Sequence, residues 1–384
     1  MIRVLSVFGT RPEAIKMAPV VKALERERGS FQSLVCATAQ HREMLDQVLE
    51  VFDIVPDVDL NLMRPGQSLH ELTATIVRSM SKVYRDLRPH WVLVQGDTTT
   101  VMGAALAAFY QRIYVGHVEA GLRTGDRYSP FPEEINRRLT SELAELHFAP
   151  TARAKRNLLR ESIPLRKVFL TGNTVVDALH MVLELSPSQM AIELLKSLGM
   201  DQRSSMPSNR KIVLVTAHRR ESFGMPFESL CKGLRALADR NAEILIVYPV
   251  HLNPQVRAPV QRLLSGHPRI RLIEPVSYEP FVRLLNAADL VVTDSGGIQE
   301  ESAILGKPVL VLREVTERPE IIEEGIGALV GTDEGQLLEV AESLLHGEEV
   351  RRRMSRKLDV FGKQGVSSRI VEILRTASKE RDLM

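Results

Sequence analysis

The sequence is short of several things that would settle its class at once. It has 2 cysteines in 384 residues. Cys36 and Cys231 both sit inside apolar patterns, which suggests buried thiols in a reducing compartment and argues against a disulfide framework. An excess of charge is missing as well: 50 Lys and Arg stand against 48 Asp and Glu, a formal net charge of +2. No global field gathers nucleic acid, so any anion must be held locally. Long hydrophobic runs are also absent, the most apolar window being residues 101–110, well below the roughly 20 residues of a membrane helix. The apolar run at 2–8 leads directly into Gly9-Thr10-Arg11-Pro12 and reads as a first strand, not a signal peptide; a cytoplasmic protein is expected. No Gly-x-Gly-x-x-Gly follows that strand, and Gly306-Lys307-Pro308 lacks the glycine spacing and the Ser/Thr of a P-loop. None of the 10 histidines has His-x-x-x-His or Cys/His spacing, so neither a metal nor a bound cofactor is expected.

What is present is alternation. Apolar, β-branched runs at 2–8, 33–37, 91–94, 113–118, 146–149 and 168–170 take turns with helical patterns, and the plan repeats at 212–215, 244–248, 270–273, 290–293 and 309–312. Such alternation predicts parallel sheets covered by helices on both faces. The length exceeds one comfortable core. The expected fold class is therefore α/β, with two Rossmann-like domains facing a central cleft. The first spans 1–185, a polar, proline-bearing linker 186–209, the second domain 210–366, and a helix whose docking cannot be read occupies 367–384. Open α/β sheets bind ligands beyond the carboxyl ends of their strands, so unusual residues should follow strands.

They do. After the run at 290–293 comes Asp294-Ser295-Gly296-Gly297-Ile298-Gln299-Glu300-Glu301. Two adjacent glycines let a ligand approach the backbone, and the free N–H groups of a helix start suit a phosphate; an ordinary turn capped by Ser295 is the plain alternative. After the first strand, Pro12 occupies a first helical position, setting Arg11 at the junction and Lys16 about one turn on. Both can reach one anion, although Lys16 alone would read as a solvated helix face. Asp97 and Glu119 each end a strand. If those strands are neighbours, both carboxylates enter one crevice and can divide acid and base work; Asp97 could otherwise cap the following helix. In Pro132-Glu133-Glu134-Ile135-Asn136-Arg137 the acids occupy a first helical turn, and Glu133 with Arg137 has i, i+4 spacing. In the second half His218 and Arg219 follow one strand, and His251 stands between Pro249 and Pro254 after another. They suit a phosphate or leaving group, while His251 could simply hold its loop. Arg318 adds one more cation.

Taken together, Gly9 to Lys16, Gln95-Gly96-Asp97-Thr98, His117 to Thr124, Pro132 to Arg137, His218-Arg219-Arg220-Glu221 and Asp294 to Glu301 resemble the non-hydrolysing UDP-N-acetylglucosamine 2-epimerases, in family order, from residue 2 to about residue 330. The resemblance implies a GT-B-like, homodimeric enzyme that interconverts UDP-GlcNAc and UDP-ManNAc without metal or nicotinamide, and without nucleic-acid or membrane partners. By position, Arg11, Lys16, His218, Ser295, Gly296, Gly297 and Arg318 would hold the diphosphate region, Glu301 the ribose and Phe281 the uracil. Asp97, Glu119 and Glu133 would surround the sugar, with Arg137 beside them. A second, activating UDP-GlcNAc would contact Gln40, Gln67, Glu133, Arg219 and His251. The alternatives are a UDP-sugar glycosyltransferase of the same architecture, which needs fewer sugar-facing carboxylates, and a hydrolysing epimerase releasing ManNAc and UDP. A catalytically idle nucleotide-sugar sensor would not need the intact Asp97 and Glu119.

Overall fold

Strands that are apolar along their whole length, such as Trp91–Gln95 with every residue buried, must be covered on both faces, and that is the environment of a parallel sheet. The computed structural model describes residues 1–38, 42–64, 66–199 and 210–381, with backbone only at 42 and 43. The first sheet consists of β1 (Ile2–Phe8), β2 (Phe31–Ala37), β3 (Val58–Asp59), β4 (Trp91–Gln95), β5 (Tyr114–Val118), β6 (Leu146–Ala149) and β7 (Val168–Leu170), in the order β3-β2-β1-β4-β5-β6-β7. The second consists of β8 (Lys211–Thr216), β9 (Ile244–Pro249), β10 (Ile270–Ile273), β11 (Leu290–Thr293), β12 (Val309–Val311) and β13 (Gly327–Leu329), in the order β10-β9-β8-β11-β12-β13. All the strand pairs are parallel. Each sheet is Rossmann-like, and the protein is α/β.

The patterned strands form within a residue or two of their expected bounds. Two strands carry no pattern: β3 has 2 residues, and β13, Gly-Ala-Leu, has no β-branched residue. Both are drawn into place by a longer neighbour, β2 and β12 respectively. The residues read as a linker contain a helix, Gln189–Ser197, capped by Ser188, while 201–209 lie outside the described residues.

By its contacts the chain divides into Met1–Met181 with Val360–Met384, and Val182–Asp359. The final helix, Val366–Lys379, thus belongs to the first unit. Asp177 accepts from the Gly365 and Ser367 amides, both at 2.7 Å, and the Trp91 indole N–H donates to Ser378 Oγ at 2.9 Å. Among the described residues no helix is long and apolar enough to cross a membrane.

In each unit the order reverses beside the first strand, at β1/β4 and at β8/β11. The loops leaving the carboxyl ends of those strands splay apart there and leave a crevice.

Candidate active site

In the first unit the loop after β1 is fixed by a capping box. Glu13 accepts from the amides of Gly9 (2.6 Å) and Thr10 (2.8 Å), the Thr10 hydroxyl accepts from the Glu13 amide, and the Thr98 hydroxyl donates to the other Glu13 oxygen. Burial pushes the Glu13 carboxyl above its usual range, while the hydrogen bonds from Thr98, Gly9 and Thr10 pull it back. One acid thereby ties the loop after β1 to the loop after β4.

That box orients helix Arg11–Arg26, whose Lys16 is buried. Lys16 is no solvated face: its Nζ lies 2.5 Å from Glu119 Oε1, with only 10% and 6% of the two side chains exposed. Gln95 Nε2 donates to the other Glu119 oxygen, and Asn173 Nδ2 lies 3.3 Å from Oε1. Donors from helix Arg11–Arg26, β4 and the segment after β7 therefore meet on one carboxylate. Glu119 itself has φ +64°, a left-handed backbone that a long side chain rarely adopts and that costs on the order of 1 kcal/mol or more. The turn continues through Gly121 at φ +92°, where a Cβ would stand 2.3 Å from the Ala154 carbonyl oxygen. Only glycine fits, and it lets the chain turn away as soon as Glu119 has been presented.

Asp97 follows β4, and its side chain does not cap the next helix. Thr98 does that, accepting from the Val101 amide. Asp97 instead pairs with Arg137, whose other arm reaches Glu134 at 3.1 Å, and the Asp97 carbonyl accepts from Asn136 Nδ2 at 3.0 Å. Glu134, fully buried, also accepts from the Thr124 and Gly125 amides and from Arg138. Glu133 is the first residue of this same helix, Glu133–Leu143. His117 completes the arrangement: strand pairing sets it opposite Val94, and its Nε2 lies 2.7 Å from the Gly96 carbonyl. Burial drives its pKa down to about 3, so it donates as a neutral ring and holds the loop that carries Asp97.

In the second unit the organiser is Asp294, 1% exposed at the end of β11. Its Oδ2 accepts from the amides of His218 (2.6 Å) and Arg219 (2.8 Å), and its Oδ1 lies 3.4 Å from His218 Nδ1. The His218 ring stacks on His251 at 5.3 Å and 11°. Burial first, and then the neighbouring His218, lower the His251 pKa, opposed by Asp294. His251 Nδ1 also accepts from the Asn253 amide, so holding its loop and facing His218 are both true of it.

Helix Gly296–Leu305 starts after Ser295, whose side chain makes no cap hydrogen bond. Its first N–H groups and its positive end are therefore not taken by a side-chain cap. Arg318 pairs with Glu300 on this helix, and its guanidinium lies 3.9 Å from where a Gly296 Cβ would be. Glu301 accepts from the Tyr278 hydroxyl at 3.1 Å, and Phe281, 7% exposed, lies one turn beyond Tyr278 in helix Tyr278–Ala287.

Arg11, Lys16, Asp97, Glu119, Glu133 and Arg137 thus gather beyond the carboxyl ends of β1, β4 and β5, and His218, His251, Ser295, Gly296, Gly297, Glu301 and Arg318 around those of β8, β9 and β11. Gln67 closes a turn with Arg64, and Gln40 lies outside the described residues. Sequence reasoning singled out no site role for Glu13, Glu134, Gln95, Asn173 or Asp294. The Thr10-x-x-Glu13 spacing is a readable capping-box signal; the others meet their partners only through sheet pairing or long loops.

A family model described as UDP-N-acetylglucosamine 2-epimerase matches residues 22–375. The UDP-N-acetylglucosamine 2-epimerase of Salmonella typhimurium is 54% identical over 376 residues, covering 97% of this chain and 98% of that one. The solved UDP-GlcNAc 2-epimerase of Neisseria meningitidis bound to UDP-GlcNAc matches with a TM-score of 0.89 at 49% identity, over 98% of this chain and 100% of that one. The S. aureus MnaA structure solved with UDP matches with a TM-score of 0.88 at 43% identity, over 100% and 98%. Similarity of this extent along the full length, with strand-end carboxylates and a glycine turn at a bare helix start, shows that the chain belongs to the UDP-N-acetylglucosamine 2-epimerase family of isomerases.

Proposed function

We propose that the enzyme interconverts UDP-GlcNAc and UDP-ManNAc by eliminating UDP and adding it back. The C2 hydrogen of the sugar is not next to a carbonyl, so direct removal is too slow. When the C1–O bond breaks toward UDP, the oxocarbenium-like centre at C1 acidifies C2, and a carboxylate takes the proton to leave 2-acetamidoglucal beside bound UDP. Returning a proton to C2 from the opposite face, with UDP re-attacking C1, completes the inversion. Asp97, Glu119 and Glu133 are the groups for this proton traffic. Arg11, His218, Arg318, the Ser295 hydroxyl and the amides of Gly296 and Gly297 stabilise the charge growing on the diphosphate, where one such preorganised donor is worth about 3 to 4 kcal/mol. Glu301 takes the ribose and Phe281 borders the uracil. Lys16 serves both sides, pairing with Glu119 while adding positive charge near Arg11.

The observation that carries this reading is Glu119, held at φ +64° and met by Lys16, Gln95 and Asn173. A sugar-nucleotide binder needs no such strained, multiply held carboxylate. The His218–His251 stack supports Arg219 and His251 as contacts for an activating second UDP-GlcNAc. A homodimer acting in the cytoplasm completes the proposal.

Turnover of UDP-GlcNAc in D2O is the test. Deuterium at C2 of UDP-ManNAc, read by NMR, is the expected result, with traces of UDP and the glucal. Complete retention of protium at C2 would sink the elimination mechanism. Release of free ManNAc would instead identify a hydrolysing enzyme, and transfer of the sugar to an acceptor with C2 untouched a glycosyltransferase.

A further inference from the structure

The amino-terminal ends of the central strands of the first sheet carry a feature that the epimerase chemistry does not use. A cavity of about 600 Å³ opens there, lined by Arg3 at the start of β1, Arg85 and Arg88 at the end of helix Leu69–Leu87, His90 just before β4, and Arg112 and Tyr114 at the entry to β5. That volume falls within the range of small-molecule sites. Four guanidinium groups share it, and none is paired with a carboxylate among the described residues. The contacts that exist leave most of the donors over: Arg85 Nη1 donates to Ser81 Oγ at 3.1 Å, and Arg3 Nε is buried with no hydrogen-bond partner among the described residues. His90 Nδ1 accepts from the Arg3 amide at 2.9 Å, which puts its proton on Nε2 as one more donor. Burial, then the charges of Arg3 and the N-terminal ammonium, push its pKa down. Burial is the larger cause, and the two cationic charges add to it.

Some arginines elsewhere in this unit are matched, Arg123 with Glu161, Arg137 with Asp97 and Glu134, Arg375 with Glu27 and Arg381 with Glu145, and others, such as Arg28 and Arg369, rest on backbone carbonyls; the cavity differs in bringing four to one concavity. Like charges crowded around one concavity repel, and arginine forks are shaped for oxyanions. We propose that this cavity binds a compact, multiply charged phosphate-bearing small molecule. It is a site separate from the strand-end carboxylates: β4 and β5 enter at the cavity and deliver Asp97 and Glu119 at their far ends, five residues on, about 17 Å away.

The probe is inorganic pyrophosphate, titrated into the full chain at constant ionic strength with saturating UDP present, and read by NMR at the His90 ring. The His90 signal is assigned by its loss in His90→Gln. A saturable shift of the His90 signal is expected, while Arg85→Gln with Arg88→Asn, which suits the left-handed backbone at 88 (φ +48°), weakens the apparent affinity roughly ten-fold or more. His218→Ala, which alters only the epimerase site, should leave that affinity unchanged. No saturable shift at His90, or equal affinity in the arginine double variant with its thermal melt intact, would overturn the proposal. Failure of the wild-type protein to bind UDP, with the His90 shift intact, would count against the epimerase reading alone.

Discussion

Asp97 and Glu119 are held very differently, and each invites a substitution that keeps shape and removes charge. Arg137 pins Asp97 from one side, whereas Glu119 sits amid Lys16, Gln95 and Asn173 on a strained backbone. Asp97→Asn and Glu119→Gln should each fold and bind UDP while kcat falls by about 10²-fold or more, the usual worth of a positioned acid or base. A kcat within a few-fold of wild type in either variant would remove that residue from the proton transfers. His117 makes a separate point through pH. Burial moves its pKa from 6.5 to about 3, so between those values the unfolded chain takes up a proton that the folded chain refuses. Its contribution to stability is complete above pH 6.5 and drains away as pH falls toward 3. In urea titrations from pH 7 to 4.5, His117→Gln should lose stability less steeply than wild type. Parallel slopes would show that the ring is not the group that resists protonation.

Two helix starts in the same fold answer to different needs. Helix Arg11–Arg26 has a complete capping box, and helix Gly296–Leu305 has Ser295 at its cap position with no side-chain bond. Removing the Thr10 hydroxyl by Thr10→Ala should cost about 1 kcal/mol in a denaturant melt and loosen the Glu13 link to Thr98. Ser295→Ala should leave stability within about 0.5 kcal/mol but weaken UDP binding measured by calorimetry, because the proposed function gives that helix end to the diphosphate. Should Ser295→Ala instead destabilise as much as Thr10→Ala, Ser295 would be an ordinary cap after all.

The last 25 or so residues matter beyond their own helix. The chain leaves the first unit at Met181 and returns to it from Val360, where Asp177 receives the turn at Gly365 and Ser367, and Arg381 lies over the Trp91 and Tyr114 rings at 5.6 and 5.0 Å. Trp91 is the single tryptophan of the sequence and is fully buried, so its fluorescence reports on this docking. Deleting residues 367–384 should shift Trp91 emission to longer wavelength and lower the melting temperature. Unchanged emission would mean that Trp91 stays buried without the tail.

The sequence by itself determined the α/β class, nearly every strand and the strand-end loops that hold the candidate residues, because those signals are local: apolar runs, a proline at a helix start, paired glycines in a turn. It could place Asp97, Glu119 and His218 at strand ends for the same reason. It could not say what each would touch. Gln95, Glu119 and Asn173 belong to different strand ends and converge only when β4 to β7 pair side by side. Lys16 reads, beside Arg11, as a cation for an anionic ligand, and its pairing with Glu119 emerges only when the sheet sets that carboxylate above it. Likewise Asp294 becomes the organiser of His218 only through the pairing of β8 with β11, and the tail finds Trp91 across 287 residues of chain. Composition and period act over a few residues. Which distant side chains share a carboxylate is decided by strand order and register, and those exist only in the folded protein.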